Sequence, residues 1–288
     1  MTEALLFYNP IAGRRPLYKE RLEQLVECFR REGVACTAVA SIPGASACPA
    51  VDLAGKELVI VYGGDGTIHQ ALQFVVPAGL RLAILPAGTV NVLARELGLP
   101  RSLDEALAVA VRGRAKRIRL GESGGRYFHL MAGIGLDGVV IENVSRRLKG
   151  RIGVGAYWVS GLISFWKYRL DPFPVILDGI RYDATFAVVA NARNYGGSLI
   201  LAPSANLEDP YLVVCLFHGR RRRRYIRYLL TAFKGTHVRL PDVTCLKVRT
   251  VEVPATRDLP VQMDGDVVGR LPVSIRVYDP GVHVIVPD

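Results

Sequence analysis

Acidic residues are scarce beside basic ones: 26 Asp and Glu stand against 37 Lys and Arg in 288 residues, a formal net charge of +11. Such a surplus concentrates anions near the surface, so the expected partner is a nucleotide, a nucleic acid or an acidic lipid head group. Long apolar runs are also missing. The longest, from Ile152 to Phe165, falls short of the ~18 residues of a spanning helix, so any membrane contact is expected to be peripheral. The start, MTEALLFYNP, has no basic n-region, and no secretory leader is expected. Cysteine is sparse and odd in number: Cys28, Cys36, Cys48, Cys215 and Cys245 show no CxxC pair and no His-spaced metal pattern. That excludes a disulfide-held miniprotein, fits a reducing compartment, and leaves any metal ligands unknown. The expected location is cytoplasmic, peripherally associated with the membrane. There is no internal repeat, and the low-complexity content is one arginine run. With 50% hydrophobic and 22% charged residues the chain is globular, of a length that suggests about two domains.

What is present has two textures. Apolar runs at 4–8, 35–40, 57–62 and 81–86 alternate with helical periodicity at 17–31, 67–76 and 90–97. In the first of these helices Leu22, Leu25, Val26 and Phe29 form one stripe. Apolar strands alternating with helices predict a parallel sheet covered on both faces, with ligands at the strand ends. After about residue 120 come short β-like runs such as ATFAVVANA, YLVVCLF and CLKVRTVEV, broken by Gly, Pro and Asp. These predict a mostly β domain, interrupted by helices within 140–168 and at 223–233. We place the boundary between residues 118 and 119.

The strongest local signal is VIVYGGDGTIHQAL, residues 59–72. A buried strand enters Gly63, Gly64, Asp65, Gly66 and Thr67 and then a helix. Glycines let the backbone approach a phosphate, and the helix start adds a favourable dipole. Asp65 would repel a bare phosphate and so hints at Mg²⁺ or substrate polarisation. The alternative is a tight turn with an Asp cap. Asn9 and Gly13 form an Asn-Pro turn after the first strand. Gly88, Thr89 and Asn91 form another turn, in which Thr89 could simply cap a helix. Asp264, in MDGD, sits in an exposed-looking turn that read alone is a strand hairpin.

Taken in order, these motifs resemble the diacylglycerol kinase catalytic domain family of bacterial lipid kinases. Asn9–Gly13 is similar to its NPxAG loop and GGDGT to its glycine motif, while Pro86, Gly88, Thr89, Asn91 and Ala94 resemble PxGTxNxxA. MAGIGLDG at 131–138 resembles GxGxDA, NARNYGGSLILAP at 191–203 resembles NxxxxGGGxxxxP, and MDGD resembles DGE. GGDGT alone is shared with NAD kinases and approximated in phosphofructokinases. The resemblance implies an α/β N-terminal domain like that of NAD kinase and phosphofructokinase, and a mostly-β C-terminal sandwich. It implies ATP and Mg²⁺ as cofactors, with Asn9, Gly13, Gly63, Gly64, Gly66, Thr67, Gly88, Thr89 and Asn91 lining the nucleotide site. Asp65 and Asp264 would be catalytic, Asp264 as the general base that takes the proton of a lipid hydroxyl.

The chain departs from the family where relatives carry acids: Val92 and Arg119 stand there. Gly138 replaces an alanine, and Asp209-Pro210-Tyr211-Leu212 replaces a DGxL segment that resembles a metal loop, so no structural metal is expected there. For a lipid surface there are two candidates. One is residues 155–168, with Tyr157, Trp158, Phe165, Trp166 and Tyr168 bracketed by cations. The other is Arg220–Arg224 leading into a helix with Tyr225, Tyr228, Leu229 and Phe233 at helical spacing. The expected partners are a lipid substrate and an anionic membrane surface, with no nucleic acid and with a homodimer left open. An NAD kinase-like enzyme with a soluble acceptor, and a catalytically silent nucleotide- or lipid-binding protein, are the alternatives.

Overall fold

A computed structural model describes residues 1–13, 17–42, 49–147, 165–166, 168–197 and 199–288. The chain forms two compact units, Met1–Leu120 with Asp279–Asp288, and Gly121–Tyr278. A boundary at 118/119 therefore lies close to the first crossing, but residues 279–288 group with the first unit.

In the first unit, β1 (Thr2–Tyr8), β2 (Val34–Ala40), β3 (Leu58–Gly63) and β4 (Arg81–Pro86) form a parallel array in the order β2-β1-β3-β4. β3 is buried at every position, which is why LVIVYG reads as an unbroken apolar run rather than an alternating one. The helix α1 (Lys19–Arg31) buries Leu25 and Phe29 and packs Leu22 and Val26 at the core's edge, the stripe expected from its spacing. α2 (Asp65–Val75), α3 (Val92–Glu96) and α4 (Leu103–Arg112) follow. The last part of β18 (Val273–Val286) returns to lie beside β4, Val284 pairing in parallel with Leu82. Gly281 is left-handed at φ +65°, and a Cβ there would stand 2.1 Å from the Ile118 carbonyl oxygen, so the returning strand fits only without a side chain.

The second unit is antiparallel. One sheet runs β14 (Val243–Val248), β13 (Leu212–Phe217), β10 (Phe186–Ala190), β7 (Met131–Ile134), β16 (Pro260–Met263), β17 (Asp266–Arg270). β15 (Thr250–Val253) joins β8 (Phe173–Leu177) and β9 (Ile180–Ala184) in another layer, and two short antiparallel pairings link β5 (Arg114–Ser123) to β6 (Arg126–Phe128) and β11 (Asn194–Tyr195) to β12 (Leu199–Ile200). Phe128, Phe173, Leu212, Leu216, Val251 and Ile275 fill the core. Two helices are described here, α5 (Leu136–Arg147) and α6 (Arg222–Ala232). Of the aromatic stretch 155–168, residues 155–164 and 167 lie outside the described residues. Register puts Cys215 directly opposite Cys245, and the two form a cross-strand disulfide. The reading of the cysteines as fitting a reducing compartment does not anticipate this pair; Cys28 and Cys36 are free thiols. Strand pairing, which no local cysteine motif records, brings Cys215 and Cys245 together.

Candidate functional site

In the first unit, β1, β3 and β4 end side by side, Tyr8 opposite Tyr62 and Gly63 opposite Pro86. The three loops singled out in the sequence leave from this one edge, the usual ligand-binding end of a parallel sheet. Asn9 accepts the Ile11 amide at 3.1 Å on Oδ1, closing its own turn. Gly13 is left-handed at φ +68°, and a Cβ there would stand 2.2 Å from the Ala87 carbonyl oxygen. A Cβ on Gly88 would stand 2.6 Å from the Cα of Gly64. The loops thus press backbone on backbone, and glycine is what permits it. Thr67 is buried beneath Gly63, whereas Gly66 has nothing within 4 Å of its Cβ position and faces open space.

Asp65 ties these loops together. Its Oδ2 accepts the Val92 amide at 3.0 Å and its Oδ1 the Leu93 amide at 3.1 Å, so it caps α3 from another element. Capping by Thr89, the simpler expectation, is replaced by this arrangement, and Thr89 is exposed. Asn91 is held left-handed at φ +51° by its Nδ2 donating to the Gly88 carbonyl at 2.8 Å. Its Oδ1 is buried and has no hydrogen-bond partner among the described residues. An open glycine, the first-turn N–H groups of α2 and an orphaned carbonyl oxygen form a cradle whose chemistry fits nucleotide phosphates with an oxygen-seeking cation. Where relatives carry acids, Val92 is buried and Arg119 pairs with Asp279 at 3.0 Å.

In the second unit Asp264 and Gly265 are both left-handed, φ +49° and +95°, and form the two-residue turn of the β16–β17 hairpin. The exposed carboxylate expected there is not found: the Asp264 side chain is 0% exposed. It turns back into the unit, accepting the amides of His129 (2.9 Å), Leu130 (2.9 Å) and Met131 (3.0 Å), with His129 Nδ1 2.8 Å from Oδ2. The left-handed turn is what aims the carboxylate inward. His129 is itself buried and was not signalled by any local motif.

A second buried acid, Asp137 on α5, also escapes the sequence reading, although it lies in the quoted MAGIGLDG stretch. Its Oδ1 accepts Tyr195 O–H at 2.9 Å and its Oδ2 the Gln262 amide at 2.6 Å. Burial pushes its carboxyl up to about 6, against the downward pull of those two hydrogen bonds. Glycine makes room for it, since a Cβ on Gly133 would lie 2.2 Å from Asp137 Oδ2. At Gly138, where the family has alanine, a Cβ would lie 2.3 Å from the Pro260 carbonyl oxygen, so this departure has a steric cause. Asp137 and Tyr195 border a cavity of about 480 Å³ whose walls include Leu136, Val140, Phe186, Phe217 and Leu229. Almost every other lining group is apolar. A solitary carboxyl with a raised pKa at the edge of such a cavity is a common mark of a functional site.

α6 divides the four residues that its spacing lines up. Tyr225 and Tyr228 are buried, Tyr225 donating to Thr185 Oγ1 at 2.7 Å and meeting Tyr228 edge-on, while Tyr228 lies tilted against Phe217. Leu229 and Phe233 of the same spacing are turned outward, with Ile226 and Leu230 beside them. Asp209 holds Lys247 at 2.9 Å, a cation-bearing side chain beside the altered DGxL segment.

Comparison with known proteins agrees with this division. The diacylglycerol kinase catalytic domain model matches residues 3–123, and the YegS C-terminal NAD kinase beta sandwich-like domain model matches residues 131–286. A diacylglycerol kinase of Mycobacterium tuberculosis is 34% identical over 242 residues, covering 81% of this chain and 78% of that protein. One from Bacillus subtilis is 28% identical, covering 100% and 97%. A solved diacylglycerol kinase structure from Bacillus anthracis superposes with a TM-score of 0.70 at 21% identity, covering 99% of this chain and 96% of that one, which speaks to the fold alone. With an α/β unit of parallel strands, an antiparallel β unit and these matches, the chain belongs to the diacylglycerol kinase family and is a kinase.

Proposed function

We propose that this kinase moves the γ-phosphoryl group of ATP onto the hydroxyl of diacylglycerol or a related lipid. The observation that carries the lipid half is the apolar cavity bordered by Asp137. An acyl chain can fill it, whereas a soluble dinucleotide would need many more polar partners than its walls offer. ATP, when bound, supplies the phosphoryl group, and Mg²⁺ neutralises its charge. In this reading the Gly63–Thr67 and Gly88–Asn91 turns cradle the phosphates, with Asn9 and Gly13 shaping the third side. Asp65 keeps the two turns in register, and its carboxylate with Asn91 Oδ1 offers oxygen ligands to the cation.

Asp264 acts as the general base. Three amide hydrogen bonds fix its carboxylate, so an arriving hydroxyl must exchange with one of them, and His129 beside Oδ2 shares the proton taken up. Phosphoryl transfer demands mainly positioning and charge neutralisation, so the base makes a partial contribution. The test is transfer from labelled ATP with Mg²⁺ to diacylglycerol in mixed micelles. The parent is expected to phosphorylate the lipid and to ignore NAD. Asp264→Asn is expected to lose roughly 10²–10⁴-fold in turnover while still binding ATP. Phosphorylated NAD, or an undiminished Asp264→Asn variant, overturns the reading.

A further inference from the structure

The second unit has another pocket, of about 350 Å³, far more polar than the first and lined by Arg169, Arg220 and Arg222 with Tyr168, Asp171 and Pro172. The one carboxylate among these residues, Asp171, is already matched by Arg169 and Arg257, each at 3.6 Å. Arg220 is exposed and makes no ion pair among the described residues. Arg222 is fixed in place: its Nη2 donates to the backbone carbonyls of Trp166 and Tyr168, and its guanidinium stands 5.5 Å from the Trp166 ring centroid. Its Nε is buried and has no hydrogen-bond partner among the described residues. A guanidinium held in place by two backbone carbonyls, sharing one polar pocket with two further arginines, presents fixed positive charge suited to a phosphate group.

The same face is apolar just beyond the arginines. Trp166 is 59% exposed, Ile226 51%, Leu230 64% and Phe233 47%. Ile226 and Leu229 on α6 also line the acyl-sized cavity. Protruding apolar side chains beside fixed cations match the boundary between lipid head groups and acyl chains, and they have no counterpart on a nucleic acid backbone.

We propose that Arg169, Arg220 and Arg222 form a head-group site for the phosphate of an anionic phospholipid, and that α6 seats on the bilayer with Trp166, Ile226, Leu230 and Phe233 in its surface. Seating this helix brings the cavity beneath it to the acyl chains. The inference extends the lipid-kinase reading but is tested without nucleotide, so the two fail separately.

The experiment is vesicle sedimentation with phosphatidylcholine alone and with phosphatidylglycerol added. The parent is expected to partition onto the anionic vesicles only. Arg169→Gln with Arg220→Gln is expected to weaken partitioning about thirty-fold, at about 1 kcal/mol for each basic residue near the surface. Leu230→Ser is expected to weaken it as well, with unchanged thermal unfolding in both variants. A control that removes the same charge elsewhere, Arg101→Gln with Arg114→Gln, is expected to change it little. The inference is overturned by equal loss in the control, by equal binding to neutral vesicles, by displacement with millimolar inorganic phosphate alone, or by duplex DNA binding that the same arginine variants abolish.

Discussion

Replacing Asp137 with asparagine should change stability in opposite directions at low and high pH. A carboxyl pushed from the ordinary 3.8 up to about 6 by burial binds its proton more tightly folded than unfolded. Its stabilising contribution is therefore full below the unfolded value and lost as pH rises through the folded one. A shift of that size corresponds to about 3 kcal/mol between the two ends of the window. Asparagine keeps an acceptor for Tyr195 but sets its amide against the Gln262 amide, now at 2.6 Å from Oδ2, which costs roughly 1–2 kcal/mol. Above about pH 7 the variant should thus be more stable than the parent by about 1–2 kcal/mol, and near pH 4 less stable by a similar amount. Urea unfolding at both ends, with equal slopes for the two proteins, reads the difference directly. A variant-minus-parent difference that does not vary with pH would refute the desolvation argument for this acid.

Asp65→Ala removes the acceptor for two amides at the start of α3, and leaving such buried donors unpaired costs about 1–3 kcal/mol. Denaturant midpoints should fall accordingly, and affinity for an ATP analogue should fall with them. An Asp65→Ala protein of parental stability would show that the brace is not made. The Cys215–Cys245 disulfide closes a loop with a sequence separation of 30, for which chain entropy predicts about 3–4 kcal/mol. Cys215→Ala with Cys245→Ser should lower stability by about that amount without reductant and match the parent once reductant is added. A parent whose unfolding ignores reductant would exclude the bond.

Strand and helix periodicity made most of the first unit readable, because β1, β3 and β4 each carry an unbroken apolar run of four or more residues and α1 carries a clean stripe. The signal for α4 is the capping-box spacing of Ser102 and Glu105 before an alanine- and valine-rich run. The nucleotide-side glycines were legible since their need for close backbone approach is local to each motif. The contacts that give the acids their roles were not. Asp264 finds its amides 133 to 135 residues away, and Asp65 finds its own 27 to 28 away. Only tertiary pairing decides whether such a carboxylate faces solvent or backbone. In α6 a broad apolar arc holds Tyr225, Tyr228 and Ala232 together with Ile226, Leu229 and Leu230, so the sheet that packs against one flank of that arc, and not the spacing, decided that Tyr225 and Tyr228 are buried while Ile226 and Leu230 are exposed.

The return of residues 279–288 to the first unit bears on how the protein is made. Val284 lies beside Leu82, and Asp279 pairs with Arg119. A ribosome that has synthesised residues 1–120 still lacks one strand of that layer, with the flank of β4 uncovered until residues 279–288 have been made. Removing residues 279–288 would therefore injure the nucleotide-side unit, although in sequence the whole second unit stands between them and the rest of it.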